Sequence, residues 1–273
     1  MRTVSVFTGT RAEYGLLRPV LRRIQADPDL RLHVLVSGMH LSPEFGLTGR
    51  AVREDGFDDL DAVEMLLSSD TPVGICKSMG LGFIGYAEVL ERVRPDFLVI
   101  LGDRFEAFAA AGAAMICRVP IAHIQGGEAT QGLIDEPIRH CITKMSQLHF
   151  ASAEPYRRRI IQMGEEPDRV FDVGALGVEI ARSLELLDRA ELAADIGFPL
   201  DGPLLLVTFH PVTLETATAG SQFGNLLAAL DAVPQCRVVF TKANSDTDGR
   251  VINRMIDDYV HASPGRCAAF SSL

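Results

Sequence analysis

The stretch Pro120-Ile121-Ala122-His123-Ile124-Gln125-Gly126-Gly127-Glu128-Ala129-Thr130-Gln131-Gly132-Leu133-Ile134-Asp135-Glu136-Pro137-Ile138-Arg139-His140-Cys141-Ile142-Thr143-Lys144 organises the chain. Ile121 to Ile124 is a short apolar run of strand character. A glycine-rich loop carrying Glu128 follows, and a helix opens near Asp135 or Glu136. Pro137 fits the first helical turn, where its missing N–H costs nothing, and Asp135 is a natural N-cap. Loops that follow the strands of a parallel α/β sheet form its ligand crevice, so the polar groups of this loop are expected to face a ligand. Four-residue spacing sets Asp135 beside Arg139 and Glu136 beside His140, with Lys144 a turn further on. Taken singly, these residues read equally well as a cap and surface ion pairs. As a cluster after Gly126-Gly127, where paired glycines permit close backbone approach, they read as a binding or catalytic site.

The same alternation continues on both sides. Thr3 to Phe7 is β-branched and leads through Gly9-Thr10-Arg11 into an apolar-periodic helix from Tyr14 to Ile24. Arg11, after a strand and at a helix start, is placed to meet an anion. The loop lacks the full Gly-x-Gly-x-x-Gly fingerprint, so no dinucleotide site is expected. Arg31 to Val36 is a second strand, ending at Ser37-Gly38-Met39-His40. A third strand is expected within Leu60 to Leu67, then a helix from Gly74 to Val93 whose four glycines permit close packing. Phe97 to Leu101 is wholly apolar, as befits a strand buried on both faces. It delivers Gly102-Asp103-Arg104 to the alanine-rich helix Phe105 to Ile116; residue preference alone makes Asp103 an N-cap. Further strands are expected at His149 to Ala151, Val170 to Val173, Leu204 to Phe209, Val238 to Thr241 and Cys267 to Phe270. Helices are expected at Glu154 to Met163, Arg189 to Ile196, Leu226 to Ala232 and Val251 to Val260. Strands alternating with helices mean an α/β fold with parallel sheets. The boundary between two domains, 1–176 and 177–273, is placed where Gly174-Ala175-Leu176-Gly177 leaves the last strand of the first.

Composition narrows the functional classes. With 273 residues, 47% hydrophobic and 23% charged, the chain has room for two modest cores. A net charge of −10 without a basic stripe argues against a nucleic-acid partner, though not against a small anion held by a few arginines. Apolar runs are interrupted before membrane-spanning length and no signal-peptide core follows Met1-Arg2, so a cytoplasmic protein is expected. Cys76, Cys117, Cys141, Cys236 and Cys267 are odd in number and scattered, which suits free thiols. His123, His140 and His149 lack paired metal-ligand spacing, so no metal site is expected.

The pattern His-Ile-x-Gly-Gly-Glu-x-Thr-x-Gly-x-Ile-Asp-Glu-x-Ile-Arg-His-x-Ile-Thr-Lys resembles the hydrolysing UDP-N-acetylglucosamine 2-epimerases of sialic acid synthesis. The resemblance extends to Gly9-Thr10-Arg11-Ala12-Glu13-Tyr14-Gly15, Ser37-Gly38-Met39-His40-Leu41, Gly102-Asp103-Arg104-Phe105-Glu106, His210-Pro211-Val212-Thr213 and Asn244-Ser245-Asp246-Thr247. It implies two Rossmann-like parallel-sheet domains of the glycosyltransferase-B kind. The second is expected to be incomplete, because family members continue into a Gly-Asn-Ser-Ser-Ser-Gly phosphate loop and a closing helix. It also implies loss of UDP from UDP-N-acetylglucosamine to 2-acetamidoglucal, hydration to N-acetylmannosamine, no cofactor, and a homodimer or dimer of dimers. Carried over by position, Asp103, Glu128, Asp135 and His210 take the catalytic roles. Arg11, His40, Arg104, Arg139, His140, Asn244 and Asp246 contact the sugar or the nucleotide. Gln125 and Gln131 stand where many members have glutamate, which leaves Glu128 as the third acid. Two other readings remain open: a glycosyltransferase on the same architecture, which the acid-rich loop disfavours, and a shortened, catalytically silent chain.

Overall fold

The computed structural model describes residues 1–212, 214–215, 218–244 and 248–271. The chain divides into two compact units. The first comprises Met1–Ser69 with Val73–Ser183, and the second Asp70–Pro72 with Leu184–Leu273. The division thus falls after Ser183 rather than at residue 176. The reason is an unexpected helix, Leu176–Ser183, whose Leu176 packs into the core of the first unit and whose Gly177 lies against Leu16.

In the first unit the elements are β1 (Arg2–Thr8), α1 (Arg11–Ala26), β2 (Leu30–Ser37), α2 (Arg50–Glu54), β3 (Leu60–Val63), α3 (Pro72–Val93) and β4 (Phe97–Leu101). They continue as α4 (Phe105–Ile116), β5 (Ile121–Ile124), α5 (Asp135–Met145), β6 (Leu148–Ala151), α6 (Glu154–Gln162), β7 (Val170–Asp172) and α7 (Leu176–Ser183). Seven parallel strands run in the order β3-β2-β1-β4-β5-β6-β7, with Val4 opposite Phe97 and Leu101 opposite Ile124. Strand order reverses direction between β1 and β4, and that is where ligands bind in open α/β sheets.

Alternation along each strand sorts the core into two layers. Phe7, Leu35, Leu98, Ile100 and Ile121 face α3 and α4, with Ile142 of α5. Val6, Val34, Val36, Val99, Leu101 and Ile124 face Leu17 and Leu21 of α1 and Val52 of α2. Both faces are therefore covered, which explains the near-continuous apolar strands. Two glycines let helices come close. A β-carbon on Gly85 of α3 would lie 2.5 Å from Val63 Cγ1, and one on Gly112 of α4 would lie 2.6 Å from the Phe83 ring. Against expectation, α3 has the length and mean hydropathy, 1.3, to cross a bilayer. Its Ile75, Tyr86, Val89 and Leu90 are nevertheless buried in the first core layer.

The second unit holds α8 (Arg189–Ile196), β8 (Leu204–Thr208), α9 (Ala219–Asp231), β9 (Arg237–Thr241), α10 (Gly249–Ala262) and β10 (Cys267–Phe270). Its three parallel strands run β10-β9-β8. Phe223, Val238, Phe240, Ile252 and Ile256 form its main core, and Phe198, Leu200 and Val239 form a smaller one on the other face.

Candidate active site

The site grows from the loops beyond β4 and β5. Gly102 turns the chain out of β4 with φ +79°, and Asp103 follows it. The cap of α4 is Arg104, in extended conformation, so the N-cap reading of Asp103 is corrected. The Asp103 carboxylate is free to pair instead with Nη2 of Arg139 on α5, and the same nitrogen donates to Thr130 Oγ1 at 3.0 Å. Arg139 reaches across 36 residues to Asp103, a partner that helical spacing does not reveal. Its side chain is 7% exposed, its Nη1 is buried with no hydrogen-bond partner among the described residues, and burial lowers its pKa.

Beneath this pair lies His123, fully buried in β5. Its Nε2 donates to the Gly102 carbonyl at 2.7 Å, and its Nδ1 is 3.2 Å from Thr143 Oγ1. Burial drives its pKa down to about 4, so at neutral pH the ring is an uncharged donor that fixes the turn before Asp103. Gly126 is required above it, because a β-carbon there would lie 2.9 Å from both His123 Nδ1 and Thr143 Oγ1. Gly127 is left-handed, φ +76°, and a β-carbon would meet the Tyr156 carbonyl at 2.5 Å. These two positions explain the paired glycines: they let the loop lie flat on α5 and α6. Gln125 before them is also left-handed, at φ 63°.

The rest of the loop is tied down piece by piece. Ser152 donates to Glu128, Arg159 donates to the Gly127 carbonyl, and the Thr130 amide donates to Glu136 at 2.7 Å. Helix α5 begins at Asp135, as expected, but the cap is Ile134, so Asp135 lies inside the first turn. There it meets the positive end of the helix dipole. The expected Glu136–His140 pairing is present at 4.0 Å, and burial lowers the His140 pKa. Lys144 leaves the cluster for Glu165.

At the switch between β1 and β4, Arg104 lays Nε and Nη2 on the two oxygens of Glu106, at 3.1 and 3.2 Å. Arg11 is exposed on the first turn of α1, after the Thr10 cap. His40, expected to contact the ligand, lies after β2. It is 1% exposed, and Thr8 and Thr48 hydroxyls occupy its two nitrogens at 2.9 and 2.8 Å, so it braces the β1 and β2 loops. In the second unit, exposed His210 follows β8 and half-buried Asn244 follows β9. Asp246 lies outside the described residues, as do Thr213, Ser245 and Thr247. Residue patterns missed His123, Thr130, Thr143, Ser152 and Glu106. His123, Thr130, Thr143 and Glu106 stand inside the motifs quoted above, without a role assigned there, whereas Ser152 lies outside every one of them.

The sequence profile of the UDP-N-acetylglucosamine 2-epimerases matches residues 22–273. The chain belongs to this family. Within it, the chain is 39% identical over 272 residues to a GDP/UDP-N,N'-diacetylbacillosamine 2-epimerase (hydrolyzing) of Campylobacter jejuni, covering 100% of this chain and 71% of that protein. It is 36% identical over 257 residues to polysialic acid biosynthesis protein P7 of Escherichia coli, covering 94% of this chain and 66% of the relative. This 2-epimerase family member thus spans about two thirds of the length of such relatives. Its structure is similar to that of the UDP-GlcNAc 2-epimerase of Neisseria meningitidis bound to UDP-GlcNAc, with TM-score 0.74 and 18% identity over 100% of this chain and 73% of that one. The Methanocaldococcus jannaschii enzyme in complex with UDP-GlcNAc and UDP gives TM-score 0.75 and 18% identity over 98% and 73%. These likenesses establish the α/β, glycosyltransferase-B-like fold class.

Proposed function

We propose that the chain carries a hydrolysing 2-epimerase site for a UDP-linked 2-acetamido sugar, with UDP-N-acetylglucosamine as the substrate and UDP plus N-acetylmannosamine as products. The carrying observation is Asp103, held by Arg139 beside the carboxylate-bearing loop of a 2-epimerase family member. Carbon 2 of the sugar bears a weakly acidic C–H. Its proton must leave as the C1–O bond to UDP breaks, giving 2-acetamidoglucal. Water then adds at C1 while a proton arrives at C2 from the other face. Two proton transfers of opposite sense suit carboxyl groups in unlike surroundings. Asp103, Glu128 and Asp135 supply them, and His210 is the fourth residue assigned to the chemistry. Arg104, Arg139 and His140 hold the sugar, while Arg11, Asn244 and Asp246 take the nucleotide. Gln125 and Gln131 cannot act as bases.

A second substrate is favoured by one observation: relatives at 39% and 35% identity are diacetylbacillosamine 2-epimerases, whereas the meningococcal UDP-N-acetylglucosamine enzyme is at 30%. Proton and phosphorus NMR time courses with each UDP sugar, without acceptor, beside the Asp103→Asn variant, separate the possibilities. UDP release with the 2-epimerised sugar, lost by at least about 100-fold in Asp103→Asn, is expected. Absence of turnover by the folded chain with either sugar, or release only when an acceptor is present, would sink the reading.

A further inference from the structure

Away from the Asp103–Arg139 pair, the first unit buries a second set of charges around one carboxylate. Glu106 is 0% exposed, although it sits in an alanine-rich helix between the core residues Phe105 and Ala107. Its two oxygens take the Nε and Nη2 edge of Arg104, the residue that follows Asp103. Three loops close on it. Gly38 after β2 is left-handed, and a β-carbon there would stand 3.1 Å from Glu106 Cγ, 3.2 Å from Oε1 and 3.0 Å from the Gly9 carbonyl. Glu13 of α1 accepts from the Gly9 and Thr10 amides and holds the β1 loop beside the same group. Arg104, Glu13 and Tyr86 are among the titratable groups facing Glu106.

This arrangement is costly. Glu13 is pushed up to about 7, first by burial, with Glu106 adding to the rise and Arg104 opposing it. A buried ion pair is a poor source of stability compared with apolar packing, so two acids around one guanidinium need another explanation. The edge-on, two-bond grip supplies one: it fixes the plane of a guanidinium as a single bond cannot.

We infer that Glu106 is a positioning residue: by clamping Arg104 at the β1–β4 switch, it sets the orientation in which the Asp103-Arg104 loop meets a sugar nucleotide. This rests on the proposed function. Arg104 does the touching, and Glu106 acts only through it.

The test is a double-substitution cycle on the full chain, with Glu106→Gln, Arg104→Lys and the pair, read by kcat and KM for the turned-over UDP sugar. Glutamine keeps the size of the side chain but offers only one acceptor to the guanidinium edge. Glu106→Gln is expected to lower kcat/KM by about 10-fold or more in the wild-type background and by less than about 2-fold in Arg104→Lys. Equal losses in both backgrounds, or no loss in either, would overturn the inference. Nitrogen-15 NMR of arginine Nε–H groups supplies an arm that needs neither turnover nor a folded Glu106→Gln. One Nε–H protected from water exchange in the wild type, absent from Arg104→Lys, upholds the clamp, and rapid exchange of that group overturns it. Failure of the folded wild type to turn over any sugar, with the protected Nε–H present, overturns the proposed function and leaves the clamp standing.

Discussion

At the scale of single residues, buried histidines make the fold acid-sensitive. His123 and His40 have pKa values held near 4 by burial, below the ordinary 6.5. The unfolded chain therefore binds more protons between these limits. Their contribution is fully present above about pH 6.5 and is lost as pH falls toward 4, at about 3 kcal/mol each. Urea midpoints should fall between pH 7 and pH 5, and His123→Asn should flatten the slope; an unchanged slope would count against this. Glu13 has the opposite sign. Its folded pKa of about 7 lies above 4.5, so its contribution is present below pH 4.5 and lost as pH rises through 7. Glu13→Gln should therefore gain stability relative to wild type at pH 8 but not at pH 4, measured by denaturant melts at both. Legibility ends at this scale. The residue types of the site stood in the motifs, but Asp103–Arg139 joins a loop to helix α5 across 36 positions. His40, given as a ligand contact by the family resemblance, has two threonine partners that no motif reveals.

Elements were easier to read, because apolar runs and breakers mark them directly. The strands Phe97–Leu101 and Ile121–Ile124 and the helices Phe105–Ile116 and Arg189–Ile196 have the expected limits. Misreadings share one cause. Helix α9 starts at Ala219 rather than Leu226, and α7 stands where the sequence reads as a domain exit, because Gly220, Gly224 and Gly177 resemble loop residues. Tertiary packing overrides such propensities. The glycines of α3 turn this into a paired experiment. Gly85→Ala puts a methyl group 2.5 Å from Val63 and should destabilise by about 1–3 kcal/mol. Gly80→Ala meets nothing within 4 Å on the exposed face and should stabilise by about 0.5–1 kcal/mol. Thermal melts of the two variants check the contrast, and shifts of the same sign would defeat it.

For the whole molecule, the two units differ in how well their sheets are covered. The seven-stranded sheet has apolar layers on both faces, whereas β8 is an edge strand with Leu206 65% exposed. Amide exchange followed by mass spectrometry should find β8 to β10 opening before β4 and β5. The reverse order would show that cover does not set their stability. Strand order has a further consequence, for a chain leaving the ribosome. Strand β1 is made first, yet its neighbour β4 arrives much later: Thr3 and Asp96, 93 residues apart, bond at the start of that junction. Until then the edge of β1 that pairs with β4 lacks its partner, and such long-range parallel pairing is slow. The loops of Gly9 and Gly102 flank that junction. Synthesis thus delays assembly of the ligand crevice until β4 has emerged, and a nascent chain stalled before Phe97 holds only its β1 side.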